Sequence, residues 1–431
     1  MQITIHRGTK EIGGSCIEVK TEHARLVLDV GLPLVDSNRN QFDSRRALSK
    51  GVEELKATKV IPQVKGLFDE SQPAPDAILL SHAHLDHAGL LHLSRKTVPI
   101  YATSGTSKMM LAASVFAGQK ELAKSRSRNV VARRPFKVGD CIITPLAVDH
   151  SIFGSVAFLI EAEGKVLLYS GDFRKHGRKP GMINDLVSHA REKKIDALIV
   201  EGTHFGKSKD HNKTEYQLEE DVLELVRSAP GLVLATFSAL DVDRIVTMYK
   251  AARKAGRVFV VDAYTAFVLY LIRSETKVPA FTWANGIRVF FNKTFNAHRF
   301  HKISEKINES RIELNEILAK PEKHLMVFRP SMTQHDFKGR LPDRCRCLYG
   351  YWEGYLGNKD WVRLREQIEQ VRGDFLKAHV SGHAYVKDII SFVKSVQPRT
   401  VIPIHTFEPQ TYRQHFPNTS LLEDGIPFEL A

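Results

Sequence analysis

The chain is short of cysteine, of acidic residues and of long apolar runs. Its four cysteines, Cys16, Cys141, Cys345 and Cys347, are too few and too scattered among 431 residues for a disulfide framework, so a reducing cytoplasm is the expected compartment. Cys345 and Cys347 are expected to share a strand face rather than bind metal, because side chains two apart on a strand point the same way. No apolar stretch approaches the ~20 residues that span a bilayer, which argues against a membrane helix. The opening Met1-Gln2-Ile3-Thr4-Ile5-His6-Arg7 lacks the apolar centre of a secretory signal and reads as a first strand. Acids are outnumbered, with 49 Asp and Glu against 62 Lys and Arg, giving a net charge of +13. Such an excess favours a polyanionic partner through phosphate neutralisation and counterion release. It is concentrated from Lys124 through Arg134 and again from Lys293 to Lys306.

What the chain does have is a dense set of metal-type ligands. Ser81-His82-Ala83-His84-Leu85-Asp86-His87 holds three histidines and an aspartate within six positions. Neutral imidazole nitrogens and a carboxylate are what a borderline divalent ion such as zinc prefers. Chance is a poor account of that spacing, even in a chain with 19 histidines. Ala77–Leu80 reads as a short apolar strand and Ala88–Leu91 as the start of a helix. The ligands therefore occupy a strand-to-helix turn, rigid behind and open in front.

The length allows two domains at roughly 100–200 residues each. Short apolar strands bounded by turn residues dominate the first 200 residues: Ile3–His6, Arg25–Val30, Ala77–Leu80, Cys141–Val148, Ser155–Glu161 and Lys165–Ser170. Glu161–Lys165 reads as a hairpin turn, Asp185–Lys194 as a helix and Ala197–Val200 as a buried strand. From about residue 205, helices and strands alternate. Tyr216–Ser228, Asp243–Lys254 and Thr265–Arg273 have helical spacing, while Gly231–Phe237, Arg257–Val261, His324–Phe328 and Arg346–Tyr349 read as strands. That alternation implies a parallel α/β unit. Ile303–Leu318 is predicted as a polar helix, Val386–Val396 as an amphipathic one and Thr400–Ile404 as a buried strand.

Three later residues leave apolar strands as the first cluster does: His150 in Val148-Asp149-His150-Ser151, Asp172 in Gly171-Asp172-Phe173, and His405 in Pro403-Ile404-His405. A dinuclear site needs such additional ligands and a carboxylate between the ions. Asp149 is a candidate carboxylate behind a ligand histidine.

In this order His82, His84, Asp86, His87, His150, Asp172 and His405 resemble the ligands of metallo-β-lactamase-fold hydrolases. Gly13-Gly14-Ser15-Cys16 and Leu28-Asp29-Val30-Gly31 are similar to that fold's first hairpins. Val200-Glu201-Gly202-Thr203, His379-Val380-Ser381-Gly382-His383-Ala384 and Pro403-Ile404-His405 resemble motifs A, B and C of its β-CASP nucleases. Gly8–Gly13 and the string from His150 to Ser155 are most like ribonuclease J. The resemblance implies an α/β fold, a metallo-β-lactamase αββα sandwich with an inserted parallel α/β β-CASP domain. Residues 1–204 would begin the first domain, 205–375 form the insertion and 376–431 return.

The resemblance further implies two zinc ions, with manganese as the alternative: one on His82, His84 and His150, the other on Asp86, His87 and His405, with Asp172 bridging. A shared hydroxide would attack phosphorus in RNA, single strands preferred and DNA the alternative polymer. Asp86, His383 and Glu201 are the expected catalytic residues, with His383 as general acid and Glu201 orienting it. Ser381, Gly382 and Ser238 are the expected substrate-binding positions. Phe237–Arg244 departs from ribonuclease J's Phe-x-Ser-Asn turn and carries extra acids, which argues against sensing of a 5′ monophosphate. The chain ends 26 residues past His405, so the resemblance is to ribonuclease J without its C-terminal domain. A decayed nucleic-acid-binding subunit is the competing reading from outside enzymology.

Overall fold

Nineteen strands form among the described residues. In the first part of the chain they are β1 Gln2–Arg7, β2 Cys16–Lys20, β3 Arg25–Leu28, β4 Ala77–Leu79, β5 Ile100–Thr103, β6 Ser127–Val130, β7 Phe136–Val138, β8 Cys141–Ala147, β9 Val156–Ala162, β10 Lys165–Tyr169 and β11 Ala197–Glu201. Then come β12 Val233–Thr236, β13 Val258–Asp262, β14 Ile287–Phe290, β15 His324–Val327, β16 Arg346–Tyr349, β17 Asp374–Lys377, β18 Thr400–Ile404 and β19 Pro427–Glu429. This computed structural model describes all residues except 37–40, 44–46, 48, 207–211, 280–284, 294–304, 306–307 and 431. The chain divides into two compact units, Met1–Asn212 with Gly382–Ala431, and Lys213–Ser381.

The first unit contains two sheets. One runs β19-β1-β2-β3-β4-β5-β6 and the other β18-β11-β10-β9-β8-β7. Strand alternation explains why they stack. On β9, Phe158 and Ile160 face the core between the sheets, together with Ile3, Ile5, Leu26 and Leu79 of the other sheet. Ala157 and Leu159 face the opposite way, onto Ile183, Leu186, Ile389 and Phe392 of the helices Gly181–Lys193 and Val386–Val396. Val27, Ile78 and Leu80 likewise leave the first sheet on its outer side, joining Leu55, Leu90 and Leu91. Each sheet is apolar on both faces because helical or loop layers cover the outer ones, which gives the expected αββα sandwich. The hairpin at Glu161–Lys165 forms with Glu163 and Gly164 at φ 52° and 70°, the left-handed pair that fits a two-residue turn to twisted strands.

The second unit is a six-stranded, wholly parallel sheet, β14-β13-β15-β12-β16-β17. Its helices include Glu215–Arg227, Val242–Lys254, Ala263–Ile272 and Lys359–Gln370. The first starts at a capping box in which Thr214 and Gln217 satisfy each other's backbone N–H groups. Cys345 and Cys347 are buried in one apolar cluster, as their spacing predicts.

Several details differ from the sequence reading. The helix expected from Ala88 begins at Leu85, so Asp86 and His87 lie within the helical turn. A Leu85 to Ala88 segment is too short for periodicity to reveal. β5, β6 and the helix Ser104–Phe116 gave no clear signal, since the helix is small-residue-rich and weakly amphipathic. Of the predicted helix at 303–318, Leu314–Ala319 is helical and the start lies outside the described residues, as does most of the basic stretch 293–306. The other basic stretch is partly structural. The Arg126 guanidinium is buried and donates to the carbonyls of Val98 and Leu91 and to Ser94 Oγ. Among the described residues, no helix is long and apolar enough to cross a membrane.

Candidate metal centre

β8, β10, β11 and β18 run in the same direction in their sheet, so their C-terminal ends share one edge. Those ends deliver His150, Asp172, Glu201 and His405. β4 of the facing sheet delivers His82 and the turn behind it. Backbone N–H groups of Ser15, Val30 and Leu32 bond the carbonyls of Asp86, His87 and Leu85 at 2.7–3.0 Å, which fixes that turn to the first hairpins. Gly31 makes the approach feasible: a Cβ there would sit 1.7 Å from the Asp86 carbonyl oxygen. Gly31→Ala should therefore cost about 1–3 kcal/mol of stability by overpacking and loosen the ligand turn. Urea melts and bound-zinc measurement on the purified variant check both effects.

Two donor groups converge. One potential ligand atom each from His82, His84 and His150 lies within 4.8 Å of the others, and so do atoms of Asp86, His87, Asp172 and His405. Asp172 Oδ2 stands between the two groups, 3.6 Å from His82 Nε2 and 3.1 Å from His87 Nε2. His405 Nε2 is 3.1 Å from Asp86 Oδ2. Neighbouring donors on a tetrahedral zinc with arms of about 2.0–2.1 Å lie roughly 3.3 Å apart, so these separations suit shared ions.

The far sides of the rings decide which nitrogen faces inward. His87 Nδ1 donates to Asp29 Oδ2 at 2.8 Å, and His150 Nδ1 to the Gly382 carbonyl at 2.6 Å. Ser81 Oγ gives its proton to Asp29 and so accepts from His82 Nδ1 at 3.0 Å. His82 Nε2, His87 Nε2 and Asp172 Oδ2 are then buried without a well-formed hydrogen bond. Inward lone pairs without hydrogen partners, backed by acceptors behind each ring, are what a metal centre requires.

Electrostatics agrees. Burial, reinforced by neighbouring imidazoles, holds His82 and His150 well below the usual histidine range and His84 at about 4, keeping them neutral as ligands must be. Burial would also lower His87, but the Asp172, Asp29 and Asp86 carboxylates outweigh it and hold that ring well above its ordinary value. For Asp86 and Asp172 burial works upward and is overcome by the surrounding imidazoles, so both stay well below the carboxylate range. The three carboxylates demand positive charge in a buried place. Divalent ions fit that demand.

His383 lies beside this cluster, with Nδ1 3.3 Å from Glu201 Oε2 and 3.6 Å from Asp172 Oδ2. Glu201 accepts N–H bonds from Phe173 and Ala384 on Oε1 and from Thr203 on Oε2. Gly382 is placed against His150, as its carbonyl bond shows. Ser381 is the last residue of the second unit, where Ser238 also lies; Ser238 Oγ accepts from the Leu240 N–H at 3.3 Å and so stabilises its own turn.

Asp149 lies between the loops that carry His150 and Asp172. It accepts from Arg174 Nε at 3.5 Å and from the Lys179 N–H at 2.8 Å, and the Arg174 N–H bonds its carbonyl at 2.7 Å. The buried pair thus staples the loop of His150 to the loop of Asp172. Asp149→Ala should destabilise the protein by about 3–5 kcal/mol, because a buried guanidinium loses its carboxylate. Equilibrium denaturation measures this directly. Asp29, which accepts from His87 Nδ1, also accepts from Ser81 and from Tyr169 Oη at 2.6 Å. Sequence reasoning gave Asp29 no role. Its signal was an acid directly after the apolar run Leu26-Val27-Leu28, held at φ 57°. His405 shares that left-handed conformation at φ 53°, a local cost of the kind that gathers at functional sites.

Comparison with known proteins agrees with this geometry. The model of the β-lactamase superfamily domain matches residues 58–248, and that of the Zn-dependent metallo-hydrolase RNA specificity domain matches 362–416. An RNase J-like protein of Methanocaldococcus jannaschii is 24% identical over 94% of this chain and 92% of its own length. Ribonuclease J of Helicobacter pylori is 22% identical over 94% of the chain, which spans 56% of that relative. Transcription termination factor FttA of Methanothermobacter thermautotrophicus is 20% identical over 92% of the chain and 65% of its own length. A protein of unknown function from Enterococcus faecalis V583 has the same fold, with a TM-score of 0.80 at 20% identity and 99% of both chains covered. The fold and site define a metal-dependent hydrolase of the metallo-β-lactamase superfamily. Within it, the chain is similar over most of its length to ribonuclease J and RNase J-like proteins.

Proposed function

We propose that this protein is a zinc-dependent ribonuclease that hydrolyses phosphodiester bonds of single-stranded RNA in RNA processing or decay. The observation that carries the reading is Asp172 Oδ2 within 3.6 Å of donors from both ligand groups, with His383 beside it. His82, His84 and His150 would hold one ion, Asp86, His87 and His405 a second, and Asp172 would bridge. When bound, such ions make a water acidic enough to react near neutral pH and offset charge on the phosphoryl oxygens.

The chain's own groups do the rest. The Asp29, Ser81 and Gly382 acceptors keep protons on the outer ring nitrogens, so the inner ones stay available. Burial would lower His383, but the Glu201 and Asp172 carboxylates outweigh it and raise it to about 9. The ring therefore carries a proton at neutral pH. It is the general acid for the departing 3′ oxygen, a role worth about 10²–10⁴-fold in rate. Glu201, held by three backbone N–H groups, orients that ring. Ser381 and Ser238 are proposed to contact the strand. The excess of basic residues favours a polyanion, and the names of the curated relatives point to RNA. Four buried cysteines without disulfides suit a reducing cytoplasm.

The test is digestion of one sequence as 5′-phosphorylated, 5′-hydroxyl and circular RNA, as blunt duplex, and as single-stranded DNA. Zinc-loaded protein should cut single-stranded RNA fastest, and a chelator should stop it. Faster cutting of DNA or of intact duplex, or no cutting of RNA, would overturn the reading.

A further inference from the structure

We infer that the Thr203 hydroxyl is a positioning group shared by the metal ligand His405 and the general acid His383. The inference deepens the ribonuclease reading and rests on it. Thr203 is buried at the end of β11, two residues after Glu201. Its Oγ1 lies 2.9 Å from His405 Nδ1 and 3.1 Å from His383 Nδ1, with the His405 carbonyl 3.5 Å away. The two rings lie 5.3 Å apart at 26°. One oxygen thus holds both from the same side.

A hydroxyl suits this place better than any other small group. It has one rotatable proton and two lone pairs, so it can accept from one ring while accepting from or donating to the other. His405 has Nε2 toward Asp86, so its Nδ1 carries the proton and Oγ1 accepts it. His383 then finds in the same oxygen an acceptor when its Nδ1 is protonated and a donor when it is not. A carboxylate here could only accept, and an amine could only donate. Thr203 is itself anchored, because its N–H donates to Glu201 Oε2 at 3.2 Å. Glu201, Thr203, His383 and His405 accordingly form one hydrogen-bonded ring support, in which His405 gets the outer partner that ligand histidines need. The backbone is constrained too: a Cβ at Gly202 would lie 2.9 Å from the Tyr412 ring and 3.0 Å from Thr406 Cβ.

Thr203→Val keeps shape and removes the hydroxyl, Thr203→Ser keeps the hydroxyl, and Thr203→Ala is a second deletion should valine impair folding. Zinc affinity is read by chelator competition on purified protein without substrate, and kcat and KM on single-stranded RNA at saturating zinc. The deletion variants should bind zinc about 10–100-fold more weakly. At saturating zinc they should still lose kcat by roughly 10²-fold, as a displaced catalytic group does, with KM little changed. Serine should restore both. Unchanged zinc affinity, full recovery of kcat with zinc, or a serine variant as damaged as valine would overturn the shared role. Wild-type protein that binds no zinc or cuts no RNA would instead overturn the ribonuclease reading.

Discussion

Asp172→Ala is expected to yield folded protein that retains little zinc and shows no measurable RNA cleavage. The side chain is fully enclosed, and Oδ2 is the atom both donor groups share. Its removal takes one negative charge from a cluster whose imidazoles already crowd one another. The loss of affinity should exceed the ~10–100-fold typical of an outer partner. Elemental analysis after gel filtration and a cleavage assay with added zinc are the measurements. Retention of two zinc ions per chain would show that Asp172 is not a ligand.

His383→Ala separates chemistry from metal binding. It lies outside both donor groups proposed to hold ions, so the variant should keep its zinc. Turnover should fall about 10²–10⁴-fold, the usual worth of a positioned general acid. The pH profile should change too. In the wild type a ring held at about 9 stays protonated through neutrality, so activity should decline only above that value. The variant should lack this alkaline decline. Full activity in His383→Ala would remove the general acid from the mechanism. Loss of zinc along with turnover would make His383 a ligand instead, consistent with the third donor group it forms with Asp172, Glu201 and His405.

Much of the site was legible because its residues are local to strand ends. His82, His84, Asp86 and His87 sit on one turn, and His150, Asp172, Glu201 and His405 each follow an apolar run. What such patterns cannot carry is the partner on the far side of a ring. Asp29 is 58 residues from His87, and Thr203 is 202 from His405. Nor does adjacency to His150 reveal that Asp149 accepts from Arg174 and from the Lys179 N–H, 25 and 30 residues away. Basic charge misled in part for the same reason, since Arg126 is used up on backbone carbonyls.

By itself the sequence determined the donor chemistry, the two-sheet alternation and the parallel character of the second unit. Residue type sets what can bind a cation, and side-chain period sets which faces become apolar. Only the tertiary structure decided which ring nitrogens point inward, which acceptors stand behind the rings, and that one threonine oxygen lies within reach of two histidines. Those outcomes depend on hydrogen bonds between strand ends far apart in the chain, whose register no local pattern encodes.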